Sequence, residues 1–223
     1  MTALPKKDKP VSHEPPKRSV LEEVGNATTH GIGALLGVAG LVLLLIRSHT
    51  CIQLCASLIY GICFMMMFLM SCLYHSFRWG TKVKLLWRRF DYISIYLLIG
   101  GTFTPLWLLF WGDDNGIVFC VAEWAVILAG VFLIAVFGTG KALKIHMVLY
   151  VILGWCGIVF IPKMIRESLP LFFFILGGGL LYTLGIIPFA AKKKGSHFIW
   201  HIFVLFGAIS HWLGIYLFLY GQG

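Results

Sequence analysis

Seven long apolar runs dominate the chain, at about residues 28–46, 52–75, 91–111, 116–137, 145–162, 169–190 and 198–219. Each is close to the roughly 20 residues that a helix needs to cross the hydrocarbon core of a bilayer. In that medium every backbone N–H and C=O must be paired inside its own segment, so such a run crosses as an α-helix. The expectation is an all-α membrane protein, a seven-transmembrane helix bundle built from residues 20–223. Composition excludes the alternatives. Hydrophobic residues make up 59% of the 223 and charged residues 12%, about half the charged share of a soluble domain, roughly 25%. A soluble enzyme, a disordered chain and a nucleic-acid-binding domain are thereby excluded, although a net charge of +9 would suggest nucleic acid in a soluble protein. The natural partners of such a surface are membrane lipids, with no nucleic acid; a homo-oligomer stays open.

Residues 1–19 hold Pro5, Pro10, Pro15 and Pro16 among lysines. They cannot bury a core and read as a mobile basic tail, not as a signal peptide, because the first apolar run is too long and no A-x-A site follows. Lysine and arginine counts set the orientation. Fifteen fall on one side: Lys6, Lys7, Lys9, Lys17, Arg18, Arg78, Lys82, Lys84, Arg88, Arg89, Lys141, Lys144, Lys192, Lys193 and Lys194. Three fall on the other, Arg47, Lys163 and Arg166, along with Asp113 and Asp114. This places the N-terminus in the cytoplasm and the C-terminus outside, which requires an odd number of spans. The six cysteines include no CxxC pair and read as small residues of the membrane core. Gly33, Gly37 and Gly40 give the first span a small face for close packing, and Gly177 to Gly179 offer a similar face on the sixth.

On this topology, polar residues gather at one depth. His30 lies about one turn into the first span and His75 in the last turn of the second. Asp91 opens the third, and His197 and His201 open the seventh. Ionisable groups at such depth are costly unless they face the bundle interior and find partners. His197 and His201 stand at i, i+4, so both imidazoles leave one helix face. With His75 from another helix they supply three imidazoles and an open position, the ligand set of a catalytic-type zinc site. Asp91 then has several readings: a carboxylate that orients a ligand or holds a water, a helix N-terminal acid that favours the dipole, or a partner for Arg88 or Arg89. Ser71, four residues before His75, either hydrogen-bonds a reacting oxygen or back-bonds to its own helix. Glu22, Glu23 and Asn26 precede the first span, and Glu22, Asn26 and His30 share one stripe. A plain amphipathic lead-in capped by Asn26, Thr28 or Thr29 would explain much of that stripe. Glu123, His146 and His211 carry less weight: His211 reads as a packed, hydrogen-bonded core histidine, Glu123 as an acid away from the cluster.

These residues also carry a resemblance. Glu22-Glu23-Val24-Gly25-Asn26 with Thr29-His30-Gly31-Ile32-Gly33, Ser71-Cys72-Leu73-Tyr74-His75, Phe90-Asp91-Tyr92 with Gly101-Thr102-Phe103-Thr104-Pro105, and His197-x-x-x-His201 resemble the motifs of the bacterial hemolysin III family. They run in order over nearly all of residues 20–220. That family belongs with the progestin and adiponectin receptors and, more broadly, with alkaline ceramidases. The resemblance implies a seven-helix bundle with its N-terminus inside, in the plasma (inner) membrane of a bacterium. In the receptor relatives three histidines hold zinc, matched here by His75, His197 and His201. Asp91 matches the aspartate near the zinc and Ser71 the nearby serine. His30 matches a first-helix histidine of the bacterial branch.

The expected function is a zinc-dependent membrane hydrolase of a lipid amide or ester, tied to membrane-lipid homeostasis. Asp91 would hold or deprotonate the attacking water, and Ser71 would steady that water or the oxyanion. His30, Asn26, Glu22 and Glu23 are accessory candidates. A membrane-state sensor with a structural zinc is the rival reading, and a pore-forming hemolysin ranks below both.

Overall fold

The computed structural model describes residues 16–112, 114–140, 142–191 and 193–220. Residues 1–15 of the expected tail, Asp113, Lys141, Lys192 and the last three residues lie outside them. The order is α1 (Val20–Ile46), α2 (Cys51–Ser76), α3 (Lys82–Pro105), a π-helical turn (Leu106–Trp111), α4 (Asp114–Phe137), α5 (Leu143–Gly154), a 3-10 turn (Cys156–Phe160), α6 (Ile161–Glu167), α7 (Leu169–Ala191) and α8 (Ser196–Leu219). The described residues contain no strand. Seven stretches are long and apolar enough to cross a bilayer, the fifth made of α5, its 3-10 turn and α6 together. A 24-residue helix such as α8 is about 36 Å long, more than the roughly 30 Å of hydrocarbon it must cross.

Two helices begin well before the expected boundaries. α1 starts at Val20, not near residue 28. Its cap is Ser19, whose Oγ accepts from the Glu22 N–H at 3.3 Å, and not Asn26, Thr28 or Thr29. The Thr29 hydroxyl instead donates back to the Gly25 and Asn26 carbonyls. α3 starts at Lys82, capped by Thr81, so Asp91 lies in its third turn and not in its first. The polar residues of both early turns extend the helices because their side chains find partners inside the bundle.

Packing brings four helices together at this end. α1 lies along α2, α2 along α3 and α7 along α8; α8 returns against α1 and touches α3. The small stripe of α1 permits the close approach. A methyl group on Gly37 would stand 2.9 Å from the Met65 Cα, and Gly33 faces the Phe68 ring. Of the three glycines at 177–179 on α7, only Gly178 works in this way, against His211 and the Gly207 carbonyl, while Gly177 and Gly179 meet nothing closer than 3.7 Å. The outside is apolar, with Leu35, Phe137 and Ile187 all about 70% exposed or nearly so. Such a surface is stable only against lipid. The six cysteines are free, as expected of small residues in apolar helices.

Candidate metal centre

His75 closes α2, and His197 and His201 occupy the first two turns of α8. Gly195, at φ +79°, makes the left-handed turn that lets α8 begin one residue before His197. One nitrogen from each of the three rings lies within 4.8 Å of the other two. Nε2 of His197 and Nε2 of His201 are 3.2 Å apart. Two nitrogens held about 2.0–2.1 Å from one tetrahedral zinc stand about 3.3 Å apart, so the α8 pair already has the required spacing. His75 Nε2 and His201 Nδ1 are buried and have no hydrogen-bond partner. Buried polar atoms without partners are rare and costly, and an ion bound through the Nε2 atoms would remove that cost at His75, though not at His201 Nδ1. The donor set therefore fits a zinc ion.

The protonation pattern of His75 follows from its other side. Nδ1 lies 2.5 Å from Glu23 Oε2, so Nδ1 carries the proton and donates it, which leaves the Nε2 lone pair facing the cluster. Asn26 Nδ2 stands farther off, at 3.4 Å. The second Glu23 oxygen accepts from Lys84 Nζ at 2.9 Å. Lys84 is fully buried, and its other two N–H groups reach the Tyr74 and Phe77 carbonyls, both at 3.0 Å. All three ammonium donors are thus used. Two of them close the C-terminal end of α2, where a cation also favours the helix dipole. A lysine counted from sequence as a loop charge is in fact the bolt joining α1, α2 and α3.

Asp91 is half-buried and hydrogen-bonded by the Ser71 hydroxyl, with Arg88 near enough to act on its charge. It is not one of the three convergent groups. The reading of Asp91 as a helix N-terminal acid is excluded by the start of α3. Ser71 is committed to Asp91 across two helices. His30 is buried, stacked on His201 with ring centroids 3.7 Å apart, and has Phe68 at its edge. Neither of its nitrogens has a partner. Glu22 is also largely covered but turns to Arg18 at 4.0 Å, and the acid that bonds His75 is Glu23 and not the Glu22 of the stripe.

The remaining polar candidates lie elsewhere. His146 hydrogen-bonds the Tyr96 hydroxyl at 2.9 Å, and His211 Nε2 donates to the Ile175 carbonyl at 2.9 Å. Glu123 accepts from Trp107 Nε1 and Cys156 Sγ. Sequence reasoning missed Lys84 and Arg18 as parts of the site. The one signal was that Lys84 falls seven residues before Asp91, two helical turns along the same face, had the helix been extended back to Thr81.

Seven membrane-length helices around a buried group of three histidines define an integral membrane protein with a candidate metal centre. Residues 18–212 match the family model described as haemolysin-III related, and the chain belongs to that family. It is similar to hemolysin-3 of Bacillus cereus, with 36% identity over 85% of this chain and 88% of that one. It is also similar to the hemolysin-3 homolog of Bacillus subtilis, with 32% identity over 86% and 92%. A human protein, monocyte to macrophage differentiation factor, is 26% identical over 92% of this chain and 87% of its own.

Proposed function

We propose that the protein is a zinc-dependent hydrolase of a lipid amide or ester, acting in membrane-lipid homeostasis. The observation that carries this reading is the convergence of three imidazoles, supported by a carboxylate, Asp91, that Ser71 hydrogen-bonds one helical turn before His75. Zinc held by His75, His197 and His201 would supply a Lewis acid able to bring the pKa of water down to about 7. Asp91, steadied by Ser71, accepts the proton of the attacking water. The Glu23 carboxylate holds His75 in its Nδ1–H form, and Lys84 holds Glu23. The apolar exterior gives a lipid substrate a route in from the side, and Phe68 with the surrounding apolar helices keeps bulk water away from His30 and His201. The lysine and arginine bias supports a cytoplasmic N-terminus and hence chemistry at the cytoplasmic leaflet of a bacterial inner membrane.

The test is turnover. Purified zinc-loaded protein in nanodiscs, incubated with a total lipid extract, is expected to deplete one amide or ester class and release its fatty acid. Asp91→Asn in the same discs is expected to leave that class intact. A zinc-loaded wild type that changes no lipid class overturns the hydrolase reading. A structural zinc is the second reading, favoured by one observation: α2 and α8 pack mainly through other helices, so a shared ion would join them. In that case histidine variants lower the unfolding temperature and no variant alters any lipid.

A further inference from the structure

Nine buried side-chain nitrogen or oxygen atoms lack a hydrogen-bond partner among the described residues. Six of them belong to Arg18, Asn26, His30, His75 and His201, all at one end of the bundle. A metal ion would satisfy the imidazoles that ligate it. It cannot satisfy Arg18 Nη1, which is a donor, and a cation would repel it.

Arg18 sits just ahead of the Ser19 cap, with its side chain only 12% exposed. The nearest acid, Glu22, is 4.0 Å from Nε, too far for a hydrogen bond. Nη1 is closed off from solvent with nothing to donate to. The Arg18 charge acts on His75, His197, His201 and Asp91, so the guanidinium lies at the same end of the bundle as these residues. The charge balance points the same way. Arg18, Lys84 and Arg88 face Glu22, Glu23 and Asp91, so the fixed formal charges cancel. A divalent ion among them would add positive charge with no counter-ion, in a region of low dielectric where that is expensive.

We infer that Arg18 is the anion-binding group of a lipid site, and that the lipid seated over the three histidines carries a phosphate or carboxylate whose oxygen accepts from Arg18 Nη1. Arginine suits this task because its planar fork pairs with two oxygens at once and keeps its charge when buried. The acyl chains of such a lipid lie along the apolar outer faces of α1 and α8. The inference deepens the hydrolase reading by assigning the charge of the lipid. It is tested by binding alone, so either can fail while the other stands.

The full chain, as wild type, Arg18→Gln and Arg18→Lys, is reconstituted in phosphatidylcholine nanodiscs, with and without zinc. Phosphatidate, oleate or inorganic phosphate is titrated in, and retained lipid is counted by native mass spectrometry after release into detergent. Zinc content and unfolding temperature certify that each variant is folded. Wild type is expected to retain one phosphatidate or oleate in preference to phosphatidylcholine. Arg18→Gln is expected to weaken that retention about tenfold, the loss of one charge-assisted hydrogen bond. Arg18→Lys should fall between, since it keeps the charge and loses the fork. Equal retention by a folded Arg18→Gln overturns the inference. Competition by inorganic phosphate as strong as that by either lipid overturns its lipid half.

Discussion

Two buried polar clusters lie at opposite ends of α3, and they are built on opposite principles. Near Trp107, the Glu123 carboxylate accepts from Trp107 Nε1 at 2.6 Å and from Cys156 Sγ at 3.5 Å, and Trp124 Nε1 donates to Thr104 at 3.0 Å. None of these five side chains has a buried nitrogen or oxygen left over. Near Lys84 the acid and the lysine are just as fully paired, but the histidines beside them are not. The same contrast holds among histidines. His146 and His211 each have a partner, while His30, His75 and His201 carry unpaired nitrogens. A satisfied polar cluster in a membrane protein is a packing device. A half-satisfied one, wrapped by a satisfied shell, is a place made for something to bind.

The contrast breaks most sharply at the α8 pair. Changing His197 and His201 together to Ala removes two of three ligands and is expected to abolish zinc binding, read as metal per chain by mass spectrometry. It also leaves His75 Nε2 buried and unpaired. Next comes Asp91→Asn, expected to retain zinc and to lower lipid turnover about 100-fold or more, the usual worth of a positioned proton acceptor. Equal loss of zinc and turnover would make Asp91 a ligand. Glu23→Gln comes third. It keeps the shape of the side chain but weakens the acceptor that fixes His75, and zinc affinity is expected to fall about 10- to 100-fold. A competition titration against a chromophoric chelator reads this directly. The smallest effect belongs to the other cluster. Glu123→Gln keeps an oxygen for Trp107 and is expected to cost about 1 kcal/mol of stability, with zinc content unchanged.

Much of this was legible in the sequence, and what was not has a physical reason. The seven spans follow from hydropathy because lipid enforces helices. His75, His197 and His201 follow from counting turns inward from one face, since equal depth on neighbouring helices is a testable coincidence. The starts of α1 and α3 were not legible. Glu22, Glu23, Lys82, Lys84 and Arg88 look like residues that keep a helix out of the membrane. In the fold Glu23 and Lys84 neutralise each other, so the helices run through them. That pairing joins residues far apart in the chain, His75 and Glu23 being 52 positions apart, and no local pattern announces it. Lys84 is the clearest case. As one member of a basic run it marked the cytoplasmic side, and only the fold places it under the metal centre. The orphan nitrogens of His30 and Arg18 are likewise properties of packing, because any histidine or arginine reads the same until its neighbours are known.

If His75, His197 and His201 hold one zinc with a position to spare, zinc stoichiometry of the purified protein combined with X-ray absorption at the zinc edge will show it. One zinc per chain is expected, with three imidazole nitrogens at about 2.0–2.1 Å and one further light ligand that is not imidazole. A protein that purifies without metal and takes up none, or a shell of four imidazoles, would contradict it.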